Sequence, residues 1–313
     1  MKLNVAAAPH LRSTNSVRKI MIDVLIALLP ASVMAVILFG AKALFLIVFS
    51  VVTAELLDFF FMRILRGKKD YRPDGSAAVT GLLLALNLSL AVTWWQTLVG
   101  IIAAIGIAKN VFGGLGKNIW NPALVGRVFM LISFPVQMTT WYTPFDLQTT
   151  ATPMALLKDG KETIWGIRDL FLGTVPGSLG EVSALLLILG FVWLVIRKRI
   201  KLMIPIAYVG SVALISAIFY LVNPAYGDPL YHIFGGGLML GALFMATDMV
   251  TSPMTPKGQW IFGLGCGVIT MVIRYFGGYP EGVSFSILIM NSFVPLIDSV
   301  TRPKRFGEVK ANA

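Results

Sequence analysis

Polar connections interrupt a chain made mostly of continuous apolar runs, with little of the one-sided striping that marks a soluble helix. The runs lie at 20–39, 43–62, 76–92, 94–111, 119–135, 180–196, 202–222, 231–247, 259–275 and 283–299. At 1.5 Å per residue, about 20 apolar residues cross a hydrocarbon layer of about 30 Å. The pattern therefore predicts about ten transmembrane helices. Gly, Pro and polar residues interrupt 76–92, 119–135 and the later runs, which predicts helices buried among other helices. The leading "MKLNVAAAPHLRSTNSVRK" is polar and basic and passes directly into the first run, so no cleavable signal is expected.

Composition agrees with this pattern. With 57% hydrophobic and 13% charged residues and a mean hydropathy of +0.80, the chain is far from a soluble domain, where about 25% of residues are charged. The expected fold class is an all-α polytopic membrane protein. The net charge of +11 then bears on orientation, because cytoplasmic connections collect Lys and Arg. With the N-terminus inside, the inner segments hold Lys2, Arg12, Arg18 and Lys19; Arg63, Arg66, Lys68, Lys69 and Arg72; Lys109, Lys117 and Arg127. They also hold Arg197, Lys198, Arg199 and Lys201; Lys257; and Arg302, Lys304, Arg305 and Lys310. Only Lys42, Lys158, Lys161, Arg168 and Arg274 fall outside. The basic charge is a topology signal and calls for no nucleic-acid partner. Both termini are expected in the cytoplasm, and the loop at 143–162 is expected outside.

Ten runs divide into two sets of five. "VFGGLGKNIWNPALVG" precedes the fifth run and "YFGGYPEGVSFSILIMN" the tenth, each after a stretch rich in Gly, Ile and Val. Since five is odd, a duplicated half inserts upside down, giving two inverted repeats in an architecture like that of urea channels. The division is 1–135 for the first repeat, 136–179 for the outer loop, 180–300 for the second repeat and 301–313 for a cytoplasmic tail.

Site chemistry is narrowed by what is scarce. One cysteine, Cys266, and two histidines, His10 and His232, cannot hold an iron–sulfur cluster or an intrachain disulfide. Cys266 in "GLGCGV" reads as a small packing residue, and His232 as a surface or interface residue. Redox chemistry in this chain would need an organic cofactor. Glu55 and Asp58 share one helix face, with Asp58 close enough to the basic loop to be an interfacial anchor. Asp248, in "MATDMVTSP", either caps broken helix ends or contacts a cation or proton. In "GGLGKNIWNPA" the glycines permit close backbone approach, and Lys117, Asn118 and Asn121 offer donors and acceptors suited to a flavin edge. Asn121 before Pro122 is equally well read as a helix N-cap.

The loop "TPFDLQTTATPMALLKDGKE" places Thr143, Thr149, Thr150 and Thr152 around Asp146. Its residues suit a solvated connection, although threonine hydroxyls also carry phosphoesters. "DLQTTATPMALLK" resembles the flavinylation segment of the RnfD and NqrB family, Asp-x-x-(Ser/Thr)-Gly-Ala-Thr, whose last threonine is esterified to FMN phosphate. Asp146, Thr149, Ala151 and Thr152 match, and Thr150 stands where the family has glycine. "RPDGSAAVTGLLLALNLS", "FGGLGKNIWNPALVGRVF", "LFMATDMVTSP" and "GGYPEGVSFSILIMNSFVPLID" resemble further family segments in family order.

The short length resembles the RnfD branch more than the NqrB branch. The resemblance implies an electron-transfer subunit of the Rnf complex, a translocase of Na+ or H+ that exchanges electrons between ferredoxin and NAD in a prokaryotic inner membrane. It implies covalent FMN on Thr152 and a noncovalent riboflavin near Asn118 and Asn121. The implied partners are the A, B, C and E subunits of the Rnf complex, its FMN-bearing G subunit, the bilayer, and an FMN transferase. The alternatives are a quinone-reducing NqrB-like subunit and a small-solute channel.

Overall fold

The computed structural model describes residues 15–161, 163–181 and 183–303. Its first two helices are α1 (Val17–Phe39) and α2 (Ala41–Phe60), joined at Gly40 with φ 73°. Ser16 caps α1 by accepting from the Lys19 N–H, and α2 runs on through wide π turns to Leu65. Then come α3 (Ser76–Leu86), α4 (Trp94–Ile101, widening through Val111) and α5 (Pro122–Ser133). The polar connection contains α6 (Pro135–Thr139), β1 (Trp141–Tyr142), β2 (Thr149–Thr150), α7 (Pro153–Lys158) and α8 (Ile167–Leu172). The remainder is α9 (Ala184–Ile196), α10 (Met203–Val222), α11 (Pro229–Phe234), α12 (Leu238–Leu240, widening through Met245), α13 (Pro256–Phe276) and α14 (Val283–Thr301).

Five helices are long and apolar enough to cross a membrane: Val17–Phe39, Ala41–Leu65, Met203–Val222, Pro256–Phe276 and Val283–Thr301. They turn bulky side chains such as Leu56, Leu214 and Val268 outward and bury small or polar ones such as Ser50, Ser216 and Gly267. A soluble core would reverse that arrangement, so the chain is a polytopic membrane protein. The core packs α1 on α9, α2 on α3, α10 on α13 and α13 on α14.

Two expected spans are broken. The helix expected over 76–92 stops at Leu86, where the Asn87 side chain donates to Leu83 O at 2.7 Å and accepts from Arg127 at 2.8 Å. Beyond it, Leu86 O and Leu88 O accept from the N–H groups of Gly180 and Leu179. Non-helical backbone is thus satisfied by protein, as it must be at membrane depth. The span expected over 231–247 is cut at Gly235–Gly236–Gly237, where Gly236 and Gly237 have φ of 66° and 67°. Arg274 donates to the His232, Gly235 and Gly236 carbonyls and closes the broken end. The span expected over 180–196 starts as helix only at Ala184, which leaves Glu181 in the preceding loop.

Several assignments from sequence are corrected by this packing. The β1–β2 hairpin is a small departure from an all-α fold. Arg127 does not belong to a loop but lies inside α5, buried and ion-paired with Glu281. Lys109 and Arg274 are also buried within helices, and His232 is 2% exposed and so is no surface residue. Asp58 is no interfacial anchor: its carboxylate lies 3.1 Å from the Lys109 ammonium, with both side chains nearly inaccessible. The readings of Cys266 as a buried packing residue and of interrupted runs as buried helices agree with the structure. His10 and most of the 301–313 tail lie outside the described residues.

Where α9 crosses α1, a Cβ on Gly190 would lie 2.0 Å from Ala27 O. A backbone oxygen cannot rotate aside, so the helices must separate to admit a methyl group. Gly190→Ala is therefore expected to cost about 1–3 kcal/mol. It should lower the thermal midpoint in detergent, whereas Gly210→Ala, with open space at its Cβ, should not.

Candidate functional site

The threonine loop is organised by the hairpin. Trp141 pairs with Thr150 and Tyr142 with Thr149 in antiparallel register. At the tip, Phe145 and Leu147 take φ of 67° and 52°, and Phe145 N–H donates to Leu38 O at the end of α1. Asp146 and Thr149 are exposed on this hairpin and Thr150 is partly covered. Thr152 is buried, 3% exposed, at the head of α7. Its Oγ1 accepts from Ala155 N–H at 3.1 Å, and Pro153 occupies the first helical position, where its missing N–H costs nothing.

Thr152 lines a cavity of about 270 Å³ with Arg127 of α5, Trp141 of β1, and Tyr279, Glu281 and Phe285 around the start of α14. The rings of Tyr279 and Phe285 stack at 5.6 Å and 26°. At the far end of α7, Lys158 Nζ donates to the Gly277 and Tyr279 carbonyls, which fastens the second "FGG" loop against the threonine loop. Partial burial lowers the Lys158 pKa from its ordinary value. Arg127 Nη2 donates to Glu281 Oε2, so the cavity floor carries a buried ion pair. Ser284 Oγ, also in the lining, is buried and has no hydrogen-bond partner among the described residues.

The residues of "GGLGKNIWNPA" divide between a helix cap, a cavity wall and the surface. Asn121 is a helix cap: its Oδ1 accepts from Ala123 and Leu124 N–H, and its Nδ2 reaches Met245 O at 3.1 Å. Asn291 Oδ1 accepts from Asn121 N–H, so one asparagine joins α5, α12 and α14. Asn118, Asn121 and Asp248 line a common cavity with Lys109, Ser76 and Phe244. Asn118 Oδ1 is buried there without a partner among the described residues. Asp248 accepts from Thr251 Oγ1 at 3.0 Å and from Val250 N–H at 3.4 Å, within the turn that follows α12. Lys117 stands apart, exposed, with its stem packed over Gly113.

This second cavity encloses about 100 Å³. Small-molecule pockets begin at roughly 300 Å³, so a tricyclic ring would enter only by displacing side chains such as Phe244. The Thr152 cavity is close to that lower bound and has aromatic walls, one cation and an orphaned hydroxyl. Its chemistry suits a planar, hydrogen-bonding, anionic group tethered at Thr152. Among the described residues there is no group of three or more His, Cys, Asp and Glu side chains placed to hold a metal.

Arg127, Trp141, Tyr279, Glu281, Ser284 and Phe285 escaped the sequence reading as site residues. One signal was available for Arg127: a charged residue within an apolar run is costly unless paired or functional, and it falls inside the run at 119–135.

A family model described as the NQR2, RnfD, RnfE family matches residues 4–307. The chain is 45% identical over 317 residues to the D subunit of the proton-translocating ferredoxin:NAD(+) oxidoreductase complex of Clostridium ljungdahlii, covering 97% of this chain and 96% of the relative. It is 45% identical over 315 residues to the D subunit of the Na(+)-translocating ferredoxin:NAD(+) oxidoreductase complex of Acetobacterium woodii, covering 99% and 97%. A third relative, the D subunit of the ion-translocating oxidoreductase complex of Stutzerimonas stutzeri, is 38% identical over 328 residues, covering 94% and 93%.

Proposed function

The chain belongs to the NQR2, RnfD, RnfE family, and from that membership we propose that it is the D-type membrane subunit of an ion-translocating ferredoxin:NAD oxidoreductase complex, carrying FMN esterified to Thr152. It is one subunit of a translocase and has no complete activity alone. The supporting observation is that Thr152, the buried hydroxyl of the loop, opens onto an aromatic-walled cavity floored by the Arg127–Glu281 pair. FMN, when bound, supplies one-electron chemistry that no side chain here provides. The residues supply its place. Thr152 holds the phosphate, and Trp141, Tyr279 and Phe285 offer ring faces to a flat heterocycle. Arg127 offsets negative charge, and Ser284 Oγ is free to bond a ring edge.

The partners follow from the same reading: the A, B, C, E and G subunits of the complex, with the flavin-bearing G subunit as donor, and an FMN transferase for maturation. Riboflavin at the Asn118 cavity is supported by the orphaned Asn118 Oδ1 and opposed by the cavity's size. No step is assigned to it.

The chain is further proposed to cross the cytoplasmic membrane about ten times as two inverted halves, with both termini inside and the threonine loop outside. Loop charge supports this orientation. A short helix followed by non-helical backbone at α3 and the glycine break before α12 offer one interrupted element in each half. In a Cys266→Ala background, Phe145→Cys, exposed at the hairpin tip, should react with a membrane-impermeant maleimide added outside intact cells. Labelling only after lysis would reverse the orientation.

The function itself is tested by mass spectrometry of the 143–162 peptide from protein made in its native host. A mass increment of FMN less water on Thr152 is expected, and an unmodified peptide would refute the assignment.

A further inference from the structure

We infer that the pocket walled by Lys158, His232 and Arg274 is a second ligand site, which takes an anionic phosphate group accompanied by a hydroxyl donor. Free phosphate and a hydroxylated phospholipid headgroup both have that chemistry. The inference is independent of the flavin assignment above.

The pocket encloses about 250 Å³ and lies on a different face of α7 from the Thr152 cavity. Met154, Leu157 and Lys158 line the first, whereas Thr152 and Ala155 line the second. The remaining walls come from the connection after α10, from α11 and from α13, through Ala225, His232 and Arg274. Lys158 and Ala225 are exposed and mark the opening. His232 and Arg274, 2% and 3% exposed, form the inner wall.

Both cations in this wall have donors to spare. Arg274 commits Nη1 and Nη2 to the His232, Gly235 and Gly236 carbonyls, and its Nε is buried with no partner among the described residues. Lys158 Nζ donates to the Gly277 and Tyr279 carbonyls, which leaves one of its three N–H bonds. Neither is ion-paired with a carboxylate among the described residues. A guanidinium held only by carbonyls in a water-poor wall has lost solvation that an anion restores.

His232 adds the opposite requirement. Its Nε2 lies 2.8 Å from Tyr226 O, and a carbonyl only accepts, so Nε2 carries the ring hydrogen. Nδ1 of the neutral ring then presents a lone pair, which is buried without a partner among the described residues. The pocket therefore offers two cationic N–H donors and one acceptor. Chloride or a carboxylate would answer the cations alone. Phosphate near neutral pH keeps a P–O–H, and a glycerol headgroup brings its own hydroxyls, so each answers all three. For the lipid source there is an apolar approach: Leu221 and Val222, 84% and 79% exposed, end α10 and adjoin Asn223 of the lining. A phosphate bound here ties α7 to α11 and α13.

The test uses the full chain purified in dodecyl maltoside, with its thermal midpoint followed at constant ionic strength set by chloride. Sodium phosphate should raise the midpoint saturably if the source is free phosphate, and mixed micelles with phosphatidylglycerol, but not phosphatidylcholine, should raise it if the source is lipid. Either result supports the site and assigns its source. Sulfate has the shape of phosphate but no proton near neutral pH, so it should need about tenfold more ligand for half-saturation, the worth of one hydrogen bond. Sulfate acting as well as phosphate overturns the hydroxyl requirement at His232. Lys158→Gln should raise the half-saturating concentration of the active ligand about tenfold. Ala225→Phe, which fills the opening and keeps every charge, should abolish the response even where Lys158→Gln fails to fold. No response to either probe, or a response unchanged in both variants, overturns the site.

Discussion

Thr152→Val is expected to remove all covalent flavin from the denatured chain, as read by in-gel fluorescence, and Thr152→Ser to keep it. Valine has nearly the shape of threonine and fills the same buried space, so the change isolates the hydroxyl. Only an oxygen can form the phosphoester, and the expected loss is complete. The same oxygen caps α7 by accepting from Ala155 N–H, so the valine variant also loses about 0.5–2 kcal/mol of local stability. Serine restores both cap and nucleophile, which separates the chemical role from the structural one. Thr149→Val and Thr150→Val should retain fluorescence. Both lie in the β2 strand paired with β1, and neither lines the cavity that Thr152 lines. Fluorescence persisting in Thr152→Val would move the ester to one of them.

The burial of Thr152 adds a condition to that experiment. If the proposed FMN transferase acts on this loop, it has to reach a hydroxyl that is only 3% exposed in the folded chain. On that reading the loop is modified before it packs, or it has to open against the bonds of Lys158 to the Gly277 and Tyr279 carbonyls. Thr150, where the family pattern has glycine, lies within the β2 strand and makes no turn that demands positive φ. The departure from the pattern costs the fold nothing at that position.

What could be read from the chain depended on how local the cause was. Asn121 before Pro122 is a cap by its own two neighbours, and the structure makes it one. Cys266 among glycines packs as a small residue because helix crossings demand small residues, which the local string already shows. The end of α3 was less legible. "NLS" marks a polar interruption, but the place where the helix stops is decided by Arg127 and by the Leu179 and Gly180 amides, all distant in sequence. The Arg127–Glu281 pair spans 154 positions, so neither residue announces the other. Counting Arg127 with loop charges followed from its nearness to Lys117, and only helix packing reveals that it points into the bundle. Lys117 is placed apart from its neighbours. Its neighbours Asn118 and Asn121 turn into the cavity while it stays in the open.

Lys109→Met is expected to give the largest loss of stability among single substitutions that leave the Thr152 loop untouched. Lys109 Nζ lies 3.1 Å from Asp58 Oδ1 and 2.7 Å from Ser76 Oγ, and the lysine and aspartate side chains are 4% and 2% exposed. Methionine fills much the same volume but leaves Asp58 as a buried charge without its counter-ion. Breaking one side of such a pair costs about 3–5 kcal/mol. Asn110 Nδ2 at 3.0 Å and the Tyr71 hydroxyl still donate to Asp58, which pulls the expected cost toward the lower figure. The single thiol provides the measurement, since Cys266 is 0% exposed and reacts with a fluorogenic maleimide only as the bundle opens. The labelling midpoint should fall in Lys109→Met and recover by at least half in Asp58→Asn/Lys109→Met, where both charges are gone. A double variant no more stable than the single would mean that the ammonium acts through Ser76 and the start of α3, and the ion-pair account of this end of the bundle would have to be abandoned.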